Sequence, residues 1–297
     1  MPPINRAARL SPLGLVLLAV TSVGWGLNFP IMKHLLAEWP PLSSRGLCGI
    51  AGAAALALLF ALARRQSLGV PRPMWLRLLL VSMLTIGGWV AFMGLALLWL
   101  SASEAAVLGI SIPVWVAFLA WPILGERLSP LRAVALTVAL AGIAVLVGGN
   151  GIEASVEKLP GIACALAGAV CVGLGTVLTK HFPLAMPPLS LAAWQIGLGC
   201  LPIAIVGLAV ERPQLAALST IGWLSLLYMT LIQFCLCYVC WFAALERLPA
   251  ATASIGTLLV PVIGVLAAAA MLHEPLGLRE IAALVFTLGG VAVALRS

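Results

Sequence analysis

The chain has 297 residues, 63% hydrophobic and only 8% charged, with a formal net charge of +7 and a mean hydropathy of +1.17. A water-soluble domain covers its surface with roughly 25% charged residues, so a soluble fold is excluded and most of the surface must meet hydrocarbon. The basic excess is scattered in short loops rather than gathered on one face, which argues against a nucleic-acid partner.

A charge in hydrocarbon costs several kcal/mol, so charges are expected to mark the ends of spans. Charge-free stretches run from Leu10 to Met32, Gly46 to Ala63, Leu78 to Ser103, Ala105 to Gly125 and Ala133 to Ile152. Five more follow: Leu159 to Thr179, Phe182 to Val210, Pro213 to Leu245, Leu248 to Leu272 and Ile281 to Leu295. A helix needs about 20 residues to cross a bilayer, so the pattern predicts an all-α integral membrane protein of ten transmembrane helices. Arg6 and Arg9 ahead of Leu13 to Val20 also resemble a secretory signal, but the repeat described below matches this segment to an interior helix.

In the first span, Thr21, Trp25, Asn28 and Met32 share one helical face. An amide in hydrocarbon needs a partner or water, so Asn28 either meets a substrate or bonds to a neighbouring helix. Thr85, Trp89, Phe92, Ala96 and Trp99 form a stripe on the third span, and Gln233, Cys237, Cys240 and Trp241 form its counterpart on the eighth. Cys237 and Cys240 have CxxC spacing inside a predicted span, where packing explains them better than redox or metal chemistry. Pro113 and Pro261 interrupt the fourth and ninth spans and read either as gating hinges or as static kinks. Gly168, Gly173 and Gly175, with Thr176, let the sixth span approach its neighbours. Lys33 and Lys180 sit near the ends of the first and sixth spans, where they can snorkel to the headgroups or attract a substrate carboxylate. Glu126 and Glu274, at the ends of spans four and nine, read as capping or interface charges.

The chain repeats itself. Lys33-His34 recurs as Lys180-His181, Pro40-Pro41-Leu42-Ser43 as Pro187-Pro188-Leu189-Ser190, and Gly26 falls on Gly173. One inserted residue later, Trp75 falls on Trp223, Pro113 on Pro261, Glu126 on Glu274 and Gly142 on Gly290. Residues 1–150 and 151–297 therefore read as two five-helix repeats. Five spans is an odd number, so the copies are inverted, as in alternating-access carriers with a midplane site. With the N-terminus cytoplasmic, only Lys33, Arg45, Lys158, Arg212 and Arg279 of the 16 Lys and Arg fall outside, which agrees with the positive-inside rule.

The chain contains no aspartate, and its glutamates all lie near span ends or in loops. A proton-coupled cation exporter would hold a carboxylate deep in the bilayer, so passage or exchange of a neutral or zwitterionic solute fits better. An intramembrane enzyme would need HExxH, paired aspartates or an activated serine, and a channel would need a polar filter. Neither pattern is present.

The run from Trp25 through Asn28 to Lys33 resembles the opening of EamA-type members of the drug/metabolite transporter superfamily. So do Ser103-Glu104-Ala105-Ala106 through Pro113 to Glu126, and their second copy from Ala251 through Pro261 to Glu274. The resemblance implies a ten-helix fold with both termini cytoplasmic, multi-pass in the plasma membrane, the bacterial inner membrane in particular. It implies export of metabolites, often amino acids, and the bacterial aromatic amino-acid exporters are the branch resembled most. A multidrug or organic-cation exporter is the alternative within the superfamily. The implied cavity is lined by spans one, three and four and by six, eight and nine. On helical faces and this resemblance, the substrate-binding candidates are Trp25, Asn28, Trp89, Phe92, Ser111, Thr176, Gln233, Trp241 and Thr257. Pro113 and Pro261 are the gating candidates. The expected partners are a small-molecule substrate and the bilayer, with no cofactor and no metal.

Overall fold

A computed structural model describes residues 11–64, 68–125, 151–248 and 256–296, with single residues at 130, 133–134, 137–138, 141–142 and 252. The described residues form helices and connecting turns, with no strand among them. The helices are α1 (Pro12–Leu35), α2 (Pro41–Arg64), α3 (Arg72–Ala96), α4 (Ala102–Leu124), α5 (Gly151–His181), α6 (Pro188–Val210), α7 (Thr220–Leu245), α8 (Leu259–Leu272) and α9 (Leu278–Arg296). The first seven are long and apolar enough to cross a membrane, and α8 and α9 add shorter apolar helices. Most of the expected fifth span, Ala133 to Ile152, lies outside the described residues, as do Glu126 and Arg127.

Local chemistry sets the helix starts. Ser11 caps α1 by accepting from the Gly14 N–H at 3.3 Å, with Pro12 at the first helical position, where a proline forfeits no bond. Ser101 and Glu104 form a reciprocal capping box at the start of α4. Helix α2 begins at Pro41 rather than at the expected Gly46. Arg45 is therefore not a loop charge at the interface but a fully buried side chain inside a span. The rule that charges mark span ends fails here because a proline can open a helix directly after a short turn.

Two irregularities recur in matched places. A π-helical stretch interrupts α3 at Met83–Gly88 and α7 at Met229–Leu236, overlapping under the repeat offset that aligns Trp75 with Trp223. Helix α4 breaks at Ile110 and Ser111 just before Pro113, and the turn at Leu258 stands just before Pro261 in the same way.

Small residues set the closest helix approaches. A Cβ at Gly46 would meet the Ala204 backbone at 2.5 Å, so α2 and α6 cross nearly backbone to backbone, as glycine-rich faces do in bilayers. A Cβ at Gly26 would come within 2.8 Å of the Val260 carbonyl, and one at Gly173 within 3.2 Å of the Val116 nitrogen. Gly26 and Gly173 are repeat partners, and each presses against the helix that carries a paired proline. Around these crossings lie two buried clusters, one on α1, α3, α4 and α8 with Phe29, Met93 and Val265, the other centred on α2, α6 and α7 with Cys200 and Phe234. Leu62, Leu76, Trp121 and Val210 remain outward and more than half exposed, a surface suited to lipid.

Candidate functional site

The broken helices and the π-helical stretches converge on a cavity of about 380 Å³, within the size range of small-molecule sites. Trp25, Asn28 and Phe29 of α1 line it, with Thr85, Ile86, Trp89, Val90 and Met93 of α3. Gly109 and Pro113 of α4, Val172 of α5, Gln233, Phe234 and Tyr238 of α7, and Thr257, Leu258, Val260 and Pro261 at the start of α8 complete most of the wall. These helices correspond to the six spans that the sequence resemblance implies, and α2 adds Arg45.

Of the sequence-selected residues, Trp25, Asn28, Trp89, Gln233, Thr257, Pro113 and Pro261 come together on this wall. Trp241 stands behind it, its ring 5.8 Å from that of Trp25, and Tyr238 meets Trp25 edge-on at 5.5 Å. Trp25 thus packs against two aromatic rings of α7. Phe92 packs beside Gly168 of α5. Ser111 is wholly buried at the break in α4, and its Oγ has no partner. Thr176 donates back to the Val172 carbonyl at 2.7 Å. None of these four lines the cavity. Lys33 does not reach for headgroups: its Nζ donates to the Leu97 and Leu100 carbonyls at 2.5 and 2.8 Å, capping the end of α3. Lys180 lies in the last turn of α5.

The polar inventory of the wall is short. Asn28 and Gln233 are both buried, and neither side-chain oxygen has a hydrogen-bond partner. Buried polar atoms are normally satisfied, and these two amide oxygens, both on side chains of the cavity wall, lack a protein partner. Prolines at 113 and 261 carry no N–H, so the helical ladder is interrupted beside the cavity in both halves.

Sequence reasoning missed Arg45. Its guanidinium is fully buried; Nε donates to the Val90 carbonyl at 2.8 Å, Nη1 to the Met32 sulfur, and Nη2 has no partner. Gly94 makes room for the stem, since a Cβ there would lie 2.7 Å from the Arg45 Cδ. The signal available in sequence was Pro40-Pro41, which places Arg45 in the second turn of a helix.

At one face of the bundle three carboxylates are seated on helix N-termini. Glu38 accepts from the Ser219 N–H and hydroxyl at 2.8 and 2.7 Å, ahead of α7. Glu211 accepts from Leu42 N–H, Ser43 N–H and the Ser43 hydroxyl at 3.0, 2.7 and 2.7 Å, at the start of α2. Glu274 accepts from Ala102 N–H, Ser103 N–H and the Ser103 hydroxyl at 2.7, 3.0 and 2.6 Å, at the start of α4. Each carboxylate lies in one half of the sequence and each capped helix in the other. Negative charge is favoured at a helix N-terminus by the exposed N–H groups and the macrodipole. The Ser219 hydroxyl, and then its N–H, hold the Glu38 carboxyl below its ordinary range. Lys158 and Glu104 add an ion pair at 2.7 Å on the same face. At the opposite end of the bundle Trp194 donates to the Leu68 carbonyl at 2.8 Å and meets Trp75 edge-on at 5.0 Å, Arg77 lies over Phe182, and Glu246 and Arg247 pair at 3.6 Å.

The EamA-like transporter family matches the chain twice, over residues 12–148 and 159–296. An uncharacterized transporter, YvbV of Bacillus subtilis, is 28% identical over 284 residues, covering 94% of this chain and 90% of that one. A Salmonella typhimurium protein named "Probable amino-acid metabolite efflux pump" is 30% identical over 294 residues, 91% of each chain. The Escherichia coli protein of the same name is 28% identical over 292 residues, 92% of each. A crystal structure shares the fold with a TM-score of 0.65 at 21% identity, covering 93% of this chain and 98% of that one.

Proposed function

This chain belongs to the EamA-like transporter family, within the drug/metabolite transporter superfamily, and we propose that it exports small zwitterionic metabolites, amino acids foremost. The halves 1–150 and 151–297 act as inverted five-helix units, giving ten spans with both termini cytoplasmic in a bacterial inner membrane. They alternate access to the cavity between them. The observation that carries this reading is the pair of unpartnered amide oxygens, Asn28 Oδ1 and Gln233 Oε1, on side chains that line an aromatic-walled cavity. They suit a substrate ammonium group, and Trp25, Trp89 and Tyr238 suit an apolar side chain. The relatives named as amino-acid metabolite efflux pumps support the same substrate class.

The carboxylate-capped face is the closed one in this conformation, and export alternates it with closure at the opposite, aromatic face. An organic-cation exporter is the second reading, and the buried guanidinium of Arg45 on the cavity wall counts against it. The test is flux of a labelled amino-acid panel in proteoliposomes, with Gln233→Ala and Trp89→Ala for comparison. Saturable flux of several neutral amino acids, reduced in both variants, is expected. Transport of organic cations with no amino-acid flux would overturn the reading.

A further inference from the structure

The wall of the cavity holds one buried charge, and its surroundings do not neutralise it. Arg45 is fully buried, it lines the cavity, and no described carboxylate pairs with it. Its protein contacts are a backbone carbonyl and a thioether, both uncharged, while Nη2 has no partner at all. A guanidinium remains charged in any protein setting, and an unpaired buried charge is expensive. Such a group survives in a fold when a ligand supplies the missing charge. The repeat gives a second argument. The offset that aligns Pro40-Pro41 with Pro187-Pro188 aligns Arg45 with Ala192, so the charge stands in one half alone and is not needed to pack the helix pair.

We propose that Arg45 is the seat of the substrate's carboxylate, received by the free Nη2 arm, and that it selects acids over their neutral derivatives. The proposal rests on the amino-acid reading for the ammonium end alone. A planar guanidinium matches a carboxylate in shape and charge, and Nε, held on Val90, fixes the plane of the fork. Asn28 and Gln233 then take the other end, so the solute lies across the cavity from α2 to α7.

The experiment measures ligand-induced shifts of Tm and flux for the purified protein and for Arg45→Gln, Arg45→Lys and Arg45→Met. The probes are a neutral amino acid, its carboxamide, and its N-acetyl derivative, which keeps the carboxylate and loses the ammonium. The parent protein should be stabilised by the amino acid and not by the carboxamide. Arg45→Gln should weaken amino-acid binding on the order of 10–100-fold and abolish the preference for acid over amide, and Arg45→Lys should retain part of it. Arg45→Met should keep the unliganded Tm of the parent or exceed it, because an unpaired buried charge has gone. Equal response to acid and amide in the parent, or a preference unchanged in Arg45→Gln, would overturn the proposal. A fall in unliganded Tm with the acid preference intact would assign Arg45 to holding Val90 and would also overturn it. Response to the N-acetyl acid alone, dependent on Arg45, would uphold the carboxylate seat and sink the amino-acid reading.

Discussion

Replacing Glu274 by Gln should loosen the capped face and expose the cavity to it. In the structure one carboxylate receives three bonds from the first turn of α4, two on Oε2 and one on Oε1. An amide of the same shape keeps one accepting oxygen, gives up the other, and removes the charge from the helix N-terminus. A lost bond to a charged group and the lost dipole interaction together come to about 2 kcal/mol. That is roughly a 30-fold change in the ratio of closed to open forms, before the remaining caps on Glu38 and Glu211 resist the motion. The assay places a single reporter thiol in the cavity, Thr85→Cys in a background without the seven native cysteines. Its reaction with a membrane-impermeant reagent is followed from each side in oriented vesicles. Glu274→Gln should raise labelling from the capped face and lower it from the other. Unchanged labelling from both faces in a folded variant would refute the idea that these carboxylates set the conformational balance.

Three further outcomes follow from the same coordinates. Gly26→Leu would drive a side chain into the Val260 carbonyl and Ile263 and should lower stability in detergent by about 1–3 kcal/mol, whereas Gly289→Ala, with open space around it, should leave the melting temperature unchanged. Lys33→Met removes the donor from the Leu97 and Leu100 carbonyls and should cost about 1–3 kcal/mol, read as a lower Tm with flux per folded molecule preserved. Glu38 is held below the ordinary carboxylate range by Ser219, so its cap is complete at neutral pH, persists through the usual carboxylate pKa, and is lost as pH falls through the lowered value. The ratio of labelling from the capped face to labelling from the other face, in which the pH dependence of the thiolate cancels, should therefore be flat from pH 8 to 5, and Glu38→Gln should give the same higher ratio at every pH.

Much of the architecture was legible because bilayer physics writes it into composition: each described helix overlaps one of the gaps between charges, most closely for α1, α4 and α9, while the start of α8 at Leu259 lies well inside the gap that opens at Leu248. The repeat was legible for the same reason, since Gly26 and Gly173, and Pro113 and Pro261, do the same steric work in two places. Trp25, Asn28, Trp89 and Gln233 could be chosen from helical faces because an amide or an indole at mid-span needs a purpose. The π-helical stretches left no mark, since Met83–Gly88 and Met229–Leu236 contain no proline to announce a break. They carry Thr85, Ile86, Gln233 and Phe234, which line the cavity. Arg45 was hidden by the assumption that charges end spans. Glu274 was legible as a capping charge, but its capped helix was not, and the Glu38 and Glu211 caps were hidden altogether, because the three find partners between 168 and 181 residues away and no local pattern encodes such a pairing.

The central claim, a single cavity presented alternately to the two faces and occupied by a zwitterion, is tested most directly by counterflow. Proteoliposomes are loaded with an unlabelled neutral amino acid and diluted into a trace of the labelled one, with and without a pH gradient. Transient accumulation of label above equilibrium, equal in size with and without the gradient and lost in Gln233→Ala, is the predicted result. Accumulation that appears only with a proton gradient, or organic-cation counterflow with none for any amino acid, would contradict it.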